Sequence, residues 1–302
     1  MKQERGAALV LAMLIAALAA AVAATVFADQ QRWNRTVELR RDQVQAQALV
    51  LAGVQWARQI LDDDAHRSDI DHLGEPWALA LPPIPLENGE IRGAIVDAQG
   101  RLNVNALGSG DTSSEPEQAR IARLFALYGG PVGALDAIAD WIDADGLVRE
   151  AGAEDAFYAA QAVPGLAANV PVLRIAELAA VKGVAPQTLA AVAPFLSALP
   201  VGTPVNINTA PAEVLAAIVD GLSGDGLAAL VASRGEKPFT TVADFRSRLP
   251  QGATLASEAA LATRSAFFIV TVEARQGATR SRARALLNRG STWPTIVWQV
   301  VE

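Results

Sequence analysis

Cysteine is absent from all 302 residues, which excludes disulfides, thiolate zinc sites, iron–sulfur clusters and a cysteine nucleophile. Histidine is scarce: His66 and His72 are the only two, so no multi-histidine metal centre can be built. Basic residues are outnumbered, with 25 Lys and Arg against 32 Asp and Glu, and the formal charge of −7 would repel a polyphosphate backbone. No P-loop, Gly-x-Ser-x-Gly elbow, zincin motif or Rossmann fingerprint occurs. What the chain does have is apolar character: 51% of its residues are hydrophobic and its mean hydropathy is +0.24. The length suits one large or two modest domains, and the hydropathy directs attention to a membrane segment.

That segment lies at the start. Met1–Gly6 is short and polar, and Ala7 to Ala28 then runs without a charge. At ~1.5 Å per residue it spans about 33 Å, close to the ~30 Å of a bilayer core. An uncleaved signal anchor fits, and so does a Sec signal, because Ala21-Val22-Ala23 and Ala24-Thr25-Val26 supply small residues. From Asp29 to about Leu61 there is no Pro and a single Gly, Gly53, while Val37, Val44, Ala48, Leu51 and Ile60 recur at helical spacing. The pattern predicts one helix from Ala7 to Leu61, about 80 Å long. A cleaved Sec signal has no reason to continue in this way. Charge bias does not orient the segment: Lys2 and Arg5 flank one end, Arg32, Arg35, Arg40 and Arg41 the other.

Residues 62–90, with Asp62-Asp63-Asp64, Pro76, Pro82-Pro83 and Pro85, read as a loop. Ile91–Asp97 alternates and, with a turn at Gln99-Gly100 and Arg101–Asn105 after it, predicts a hairpin. Three more strands are expected at Phe267–Arg275, Thr279–Asn288 and Thr295–Val301. Between the strand groups, from about Gly108 to Arg264, the pattern is helical. Ser114-Glu115-Pro116-Glu117 reads as a capping box, and further helices are expected at Val132–Ile142, Leu173–Val181, Pro186–Leu196, Pro211–Val219, Asp225–Arg234 and Val242–Leu249. Strands, then helices, then strands indicate an α+β chain with a helical domain (108–264) inserted into a sheet domain made of 29–107 and 265–302. Trp56, Trp77, Trp141, Trp293 and Trp298 read as core or interface anchors. Arg280, Arg282 and Arg284 alternate with small residues as on a solvated strand face.

Two constellations carry chemistry. Asp140 and Asp143 are three apart, which puts both carboxylates on one side of a helix end; Asp145-Gly146 follows and Glu154-Asp155 returns about ten residues later. Convergent carboxylates without His or Cys suit a hard cation such as Ca²⁺. Counted from Asp143, Asp145 is third and Glu154 twelfth, as in an EF-hand loop, but Leu147 is fifth and Val148 replaces the sixth-position Gly. A solvated acidic turn with Asp143 or Asp145 capping a helix fits the same spacing. The second constellation comprises two helix–turn–helix pairs, around Lys182-Gly183-Val184-Ala185 and Asp220-Gly221-Leu222-Ser223-Gly224-Asp225. The latter is similar to helix–hairpin–helix modules that bind DNA through turn N–H groups. Its two acidic residues stand where phosphate would lie, so a packing role is the competing reading.

The polar leader ending in Gly6, the immediate apolar helix and its amphipathic continuation resemble a type IV prepilin leader. The segments DAQGRLNVNAL (97–107), DWIDADG (140–146), GAEDAFY (152–158) and VNINTAPAEVL (205–215) resemble those of K-type minor pseudopilins of type II secretion systems, over nearly the whole chain. The resemblance implies a pseudopilin fold, a long helix plus antiparallel sheet, interrupted by a large helical domain. It implies residues 1–6 as leader, cut by prepilin peptidase between Gly6 and Ala7, and 7–28 as a single inner-membrane span with the rest periplasmic. Pilins usually start with Phe and carry Glu as the fifth mature residue; here these positions are Ala7 and Leu11, and lack of the Glu is itself a feature of the K type. Calcium in the inserted domain is implied, held among Asp140, Asp143, Asp145, Glu154 and Asp155. I- and J-type minor pseudopilins and the inner-membrane secretion platform are the implied partners, with no nucleic acid. The work implied is assembly at the pseudopilus tip in support of protein export, not catalysis. The alternatives are a membrane-anchored helix–hairpin–helix DNA-binding protein, which the net charge opposes, and a calcium-dependent surface hydrolase, which lacks a nucleophile constellation.

Overall fold

The computed structural model describes residues 3–79, 82–110, 114–131, 133–290 and 292–302, with side chains of the first helix from residue 9 onward. That helix, α1, runs from Gln3 to Ala65, 63 residues and about 95 Å at ~1.5 Å per residue. It is the expected single helix, extended by a turn at each end. Leu9 to Phe27 is exposed all round, whereas Ala46, Val50, Val54, Ala57 and Leu61 are buried. Their spacing of three and four places them on one face. The face packs on the inner side of a five-stranded sheet of order β1-β2-β9-β10-β11, against Phe268, Val270, Val272 and Ala274 and against Ala283, Ala285 and Leu287. The lone glycine of the amphipathic half has a steric cause. A Cβ on Gly53 would stand 2.6 Å from Val272 Cγ1, so close approach of helix and sheet requires its absence.

All pairings in this sheet are antiparallel. β1 is Ile84–Leu86 and β2 Gly89–Asp97; β9, β10 and β11 are Phe267–Gln276, Thr279–Asn288 and Thr295–Val301. The last three match the sequence reading within a residue, because one buried face imposes a period of two. β2 contains the expected Ile91–Asp97 and starts two residues earlier, whereas β1 lies outside the expected strands. The expected hairpin through Gln99-Gly100 is absent; β2 pairs with β1 and β9 instead. Gln99 leaves the sheet, its side chain accepting from Ala266 N at 2.6 Å and Phe267 N at 3.0 Å and donating to Pro204 O at 2.8 Å. β1 lies in the stretch read as loop, where its proline is tolerated because the strand is an edge.

The inserted helical unit contains β3 (Leu102–Asn103), α2 (Glu115–Leu127), α3 (Gly133–Ile142), α4 (Asp155–Ala159), α5 (Pro186–Val192), β4 (Leu196–Ser197), β5 (Val205–Asn206), α6 (Ala212–Ile218), β6 (Val219–Asp220), α7 (Gly224–Glu236), α8 (Val242–Ser247), β7 (Thr254–Leu255) and β8 (Leu261–Ala262). The two-residue strands pair β3 with β4, β5 with β8 and β6 with β7. Leu102, Val104 and Leu107 are buried in the core of this unit. The unit therefore begins directly after β2 rather than at residue 108. Two helices are shorter than the sequence pattern suggested: Ile175–Ala180 is a 3-10 helix, and α5 ends at Val192 two residues before Pro194, which cannot continue an α-helix. The expected capping box does not form. Ser114 makes no side-chain cap bond to α2, and Glu117 is buried at 3% exposure, where loss of hydration pushes its carboxyl up to about 6.

Candidate functional site

Among the described residues, one helix is long and apolar enough to cross a membrane. The processing pair Gly6 and Ala7 lies in its first turns, where side chains fall outside the described residues. Leu11 is 60% exposed, in an unbroken apolar surface with Leu14, Leu18 and Val22.

The acidic cluster forms at the end of α3. Carboxylate oxygens of Asp143, Asp145 and Glu154 all lie within 4.8 Å of one another. Asp143 and Glu154 are buried while Asp145 reaches solvent. Glu154 Oε1 and Oε2 and Asp143 Oδ1 are buried without a hydrogen-bond partner, an unfavourable state for three carboxylate oxygens. Burial, followed by repulsion from Asp140, Asp143, Asp155 and Asp145, raises the Glu154 pKa. This donor set, all oxygen and partly orphaned, fits a hard divalent cation.

The other two expected ligands are engaged elsewhere. Asp140 is fully buried; its Oδ1 accepts from Arg149 Nη1 at 2.6 Å and its Oδ2 from Arg149 N at 3.1 Å. The same guanidinium nitrogen reaches Asp143 Oδ2, so the three-residue spacing does put both aspartates on one side. Gly152 closes over Asp140: a Cβ there would lie 1.8 Å from Asp140 Oδ2. Asp155 opens α4 and points away, its Oδ1 accepting from Ala167 N at 2.9 Å. Asp140 thus positions Arg149, and Asp155 closes the following loop.

A second buried acidic group escaped the sequence reading. Asp64, Asp71 and Glu75 converge, and Arg289 at the end of β10 donates to Asp64 Oδ2 at 2.7 Å, to Asp71 Oδ1 and to Ser265 O at 2.8 Å. Glu75 accepts from Trp77 Nε1 at 2.8 Å. None of these oxygens is orphaned among the described residues, so the group is a structural ion cluster. Next to it, Asp97 Oδ2 accepts from Thr209 Oγ1 and Ser265 Oγ, both at 2.6 Å. Burial pushes Asp64 and Asp97 each up to about 6.

The two helix–turn–helix turns serve packing. Asp220 pairs with Arg123 Nη1 at 2.6 Å, and Lys182 Nζ donates to Gly152 O at 2.8 Å. Of the tryptophans, Trp77 is buried, whereas Trp56 is 51% and Trp293 39% exposed.

A long membrane-length helix backing an antiparallel sheet, with a helical unit inserted between two of its strands, defines a pseudopilin-like subunit. Two sequence profiles described as type II secretion system (T2SS), protein K, match residues 100–201 and 205–265. Type II secretion system protein K of Pseudomonas aeruginosa (strain PAO1) is 32% identical over 299 residues, spanning 95% of this chain and 89% of that protein. Its Pectobacterium carotovorum counterpart is 31% identical over 304 residues, spanning 95% and 93%. One chain of the GspK-GspI-GspJ complex from enterotoxigenic Escherichia coli has the same fold, with a TM-score of 0.78 at 24% identity, over 90% of this chain and 99% of that one. The chain belongs to the type II secretion system protein K family and is a minor pseudopilin, a structural component. That membership gives the DNA-binding alternative no support.

Proposed function

We propose that this pseudopilin sits at the tip of the pseudopilus, initiating or capping assembly with I- and J-type minor pseudopilins and so supporting export across the outer membrane. The observation that carries the proposal is Leu11. In pilin packing the fifth mature residue is a Glu whose carboxylate meets the N-terminal amine of the subunit ahead, a pair strengthened by the low-dielectric bilayer. A subunit with none ahead loses nothing by having Leu there. The helical unit, inserted directly after β2, adds bulk where a further subunit would stack. The likeness to a chain from a complex named for K, I and J supports these partners. Prepilin peptidase would act at Gly6–Ala7, leaving a single inner-membrane span, a periplasmic domain and contact with the secretion platform.

A calcium ion held by Asp143, Asp145 and Glu154 belongs to the same proposal. It would neutralise the orphaned oxygens and pin the 143–154 loop to the end of α3, with Asp140 holding Arg149 beside it. Leu11→Glu tests the tip role. An unpaired ionisable group inside the bilayer costs up to about 3 kcal/mol at the helix centre, so the variant should assemble no better than wild type. Improved assembly, scored by secretion assay, would contradict the proposal.

A further inference from the structure

Where the helical unit leans on the outer face of the sheet, a cleft of about 420 Å³ opens between Leu173, Leu199 and neighbours on one side and Ile269, Arg284 and Trp298 on the other, with Arg101 also in its lining. The side chains of Arg101 and Arg284 make no hydrogen bond or ion pair among the described residues. Burial, with Arg284 nearby, lowers the Arg101 pKa, while Asp97 opposes the shift; Asp97 already accepts from Thr209, Ser265 and Asn206. Trp298 Nε1 is also buried without an acceptor. The cleft therefore combines a half-buried Arg101 and an exposed Arg284 without protein partners, an unused N–H donor and apolar walls.

We infer that this cleft binds a carboxylate side chain, Asp or Glu flanked by apolar residues, presented by a segment of another protein. Charge complementarity selects the occupant: a carboxylate between the two guanidiniums relieves their mutual repulsion and makes charge-assisted hydrogen bonds, while its apolar neighbours meet the leucine and isoleucine walls. The chain's own Glu302 lines the rim but is tethered by its backbone to Arg282, with both N–H···O bonds at 2.8 Å, and no contact joins its side chain to either guanidinium.

The test uses the full-length protein in detergent, with the indole N–H resonance of Trp298, assigned through Trp298→Phe, as the reporter. The probe is the blocked peptide acetyl-Leu-Glu-Leu-amide, with acetyl-Leu-Gln-Leu-amide as control. The Glu peptide should move the resonance saturably at millimolar concentration, and the Gln peptide should bind roughly ten- to hundred-fold more weakly. Exposed Arg284→Gln should weaken the Glu peptide by a similar factor while leaving the fold intact, and Arg101→Gln/Arg284→Gln should abolish the response. Glu302→Gln should leave binding unchanged. Equal binding of the two peptides, binding that survives in the Arg284→Gln and double variants, or no saturable shift would overturn the inference. So would Glu302→Gln alone vacating the site, because the occupant would then be the side chain of Glu302 itself.

Discussion

Asn206 Nδ2 donates to Asp97 Oδ2 at 3.0 Å across 109 positions of sequence, joining the last residue of β2 to the helical unit. The same nitrogen also reaches Asp71 O at 3.1 Å and Ser265 Oγ at 2.9 Å. Asn206 and Asp97 lie in two of the segments that carry the family resemblance, and their hydrogen bonds give that pattern a structural cause. Asn206→Ala should destabilise the protein by about 3 kcal/mol, because it leaves buried acceptors unmet. Asn206→Asp should be worse at neutral pH and partly recover on acidification. Thermal denaturation of the full-length protein in detergent measures both.

Asp64 and Asp97 titrate near 6 in the folded protein, above the ordinary 3.8. Between these values the folded state binds more protons than the unfolded one, so these groups make stability fall as pH rises. Their contribution should grow as pH drops from about 7 to 5. Asp64→Asn keeps an acceptor for Arg289 and should flatten that slope. Arg289→Met strips the counter-charge from Asp64 and Asp71, and should cost roughly 3–5 kcal/mol at pH 7.5 while steepening the slope. Melting curves at several pH values distinguish these outcomes.

If Asp143, Asp145 and Glu154 share a calcium ion, EDTA should lower the melting temperature and added calcium should restore it. At ligand near 100 times Kd the linkage is worth about 2.7 kcal/mol, within reach of calorimetry. Asp143→Ala/Glu154→Ala should remove the calcium shift. Full retention of the shift in that variant would mean the ion lies elsewhere.

Processing is checked by N-terminal sequencing of the membrane form, which should begin at Ala7. Gly6→Val should block the cut, because the backbone at the scissile position must approach the peptidase closely. A start near Asp29 would instead indicate a Sec signal peptide.

Periodicity revealed α1 and β9 to β11, because each buries one face on a regular repeat: Val50, Val54, Ala57 and Leu61 on the helix, and Phe268, Val270, Val272 and Ala274 on β9. The failures are long-range. Gln99-Gly100 has turn composition, yet the Gln99 side chain serves Ala266 and Phe267, more than 160 positions away. β1 hid behind its prolines. Asp143, Asp145 and Glu154 do converge, but their spacing could not show that Arg149 occupies Asp140, or that Ala167 N takes Asp155. The Asp64–Arg289 bond spans 225 positions, and no local pattern in the sequence marks it.

The tip assignment is tested most directly by gold labelling of an epitope-tagged copy on sheared pseudopili, viewed by electron microscopy. The account predicts label at one end of each fibre and none along the shaft. Label distributed along the shaft would contradict it.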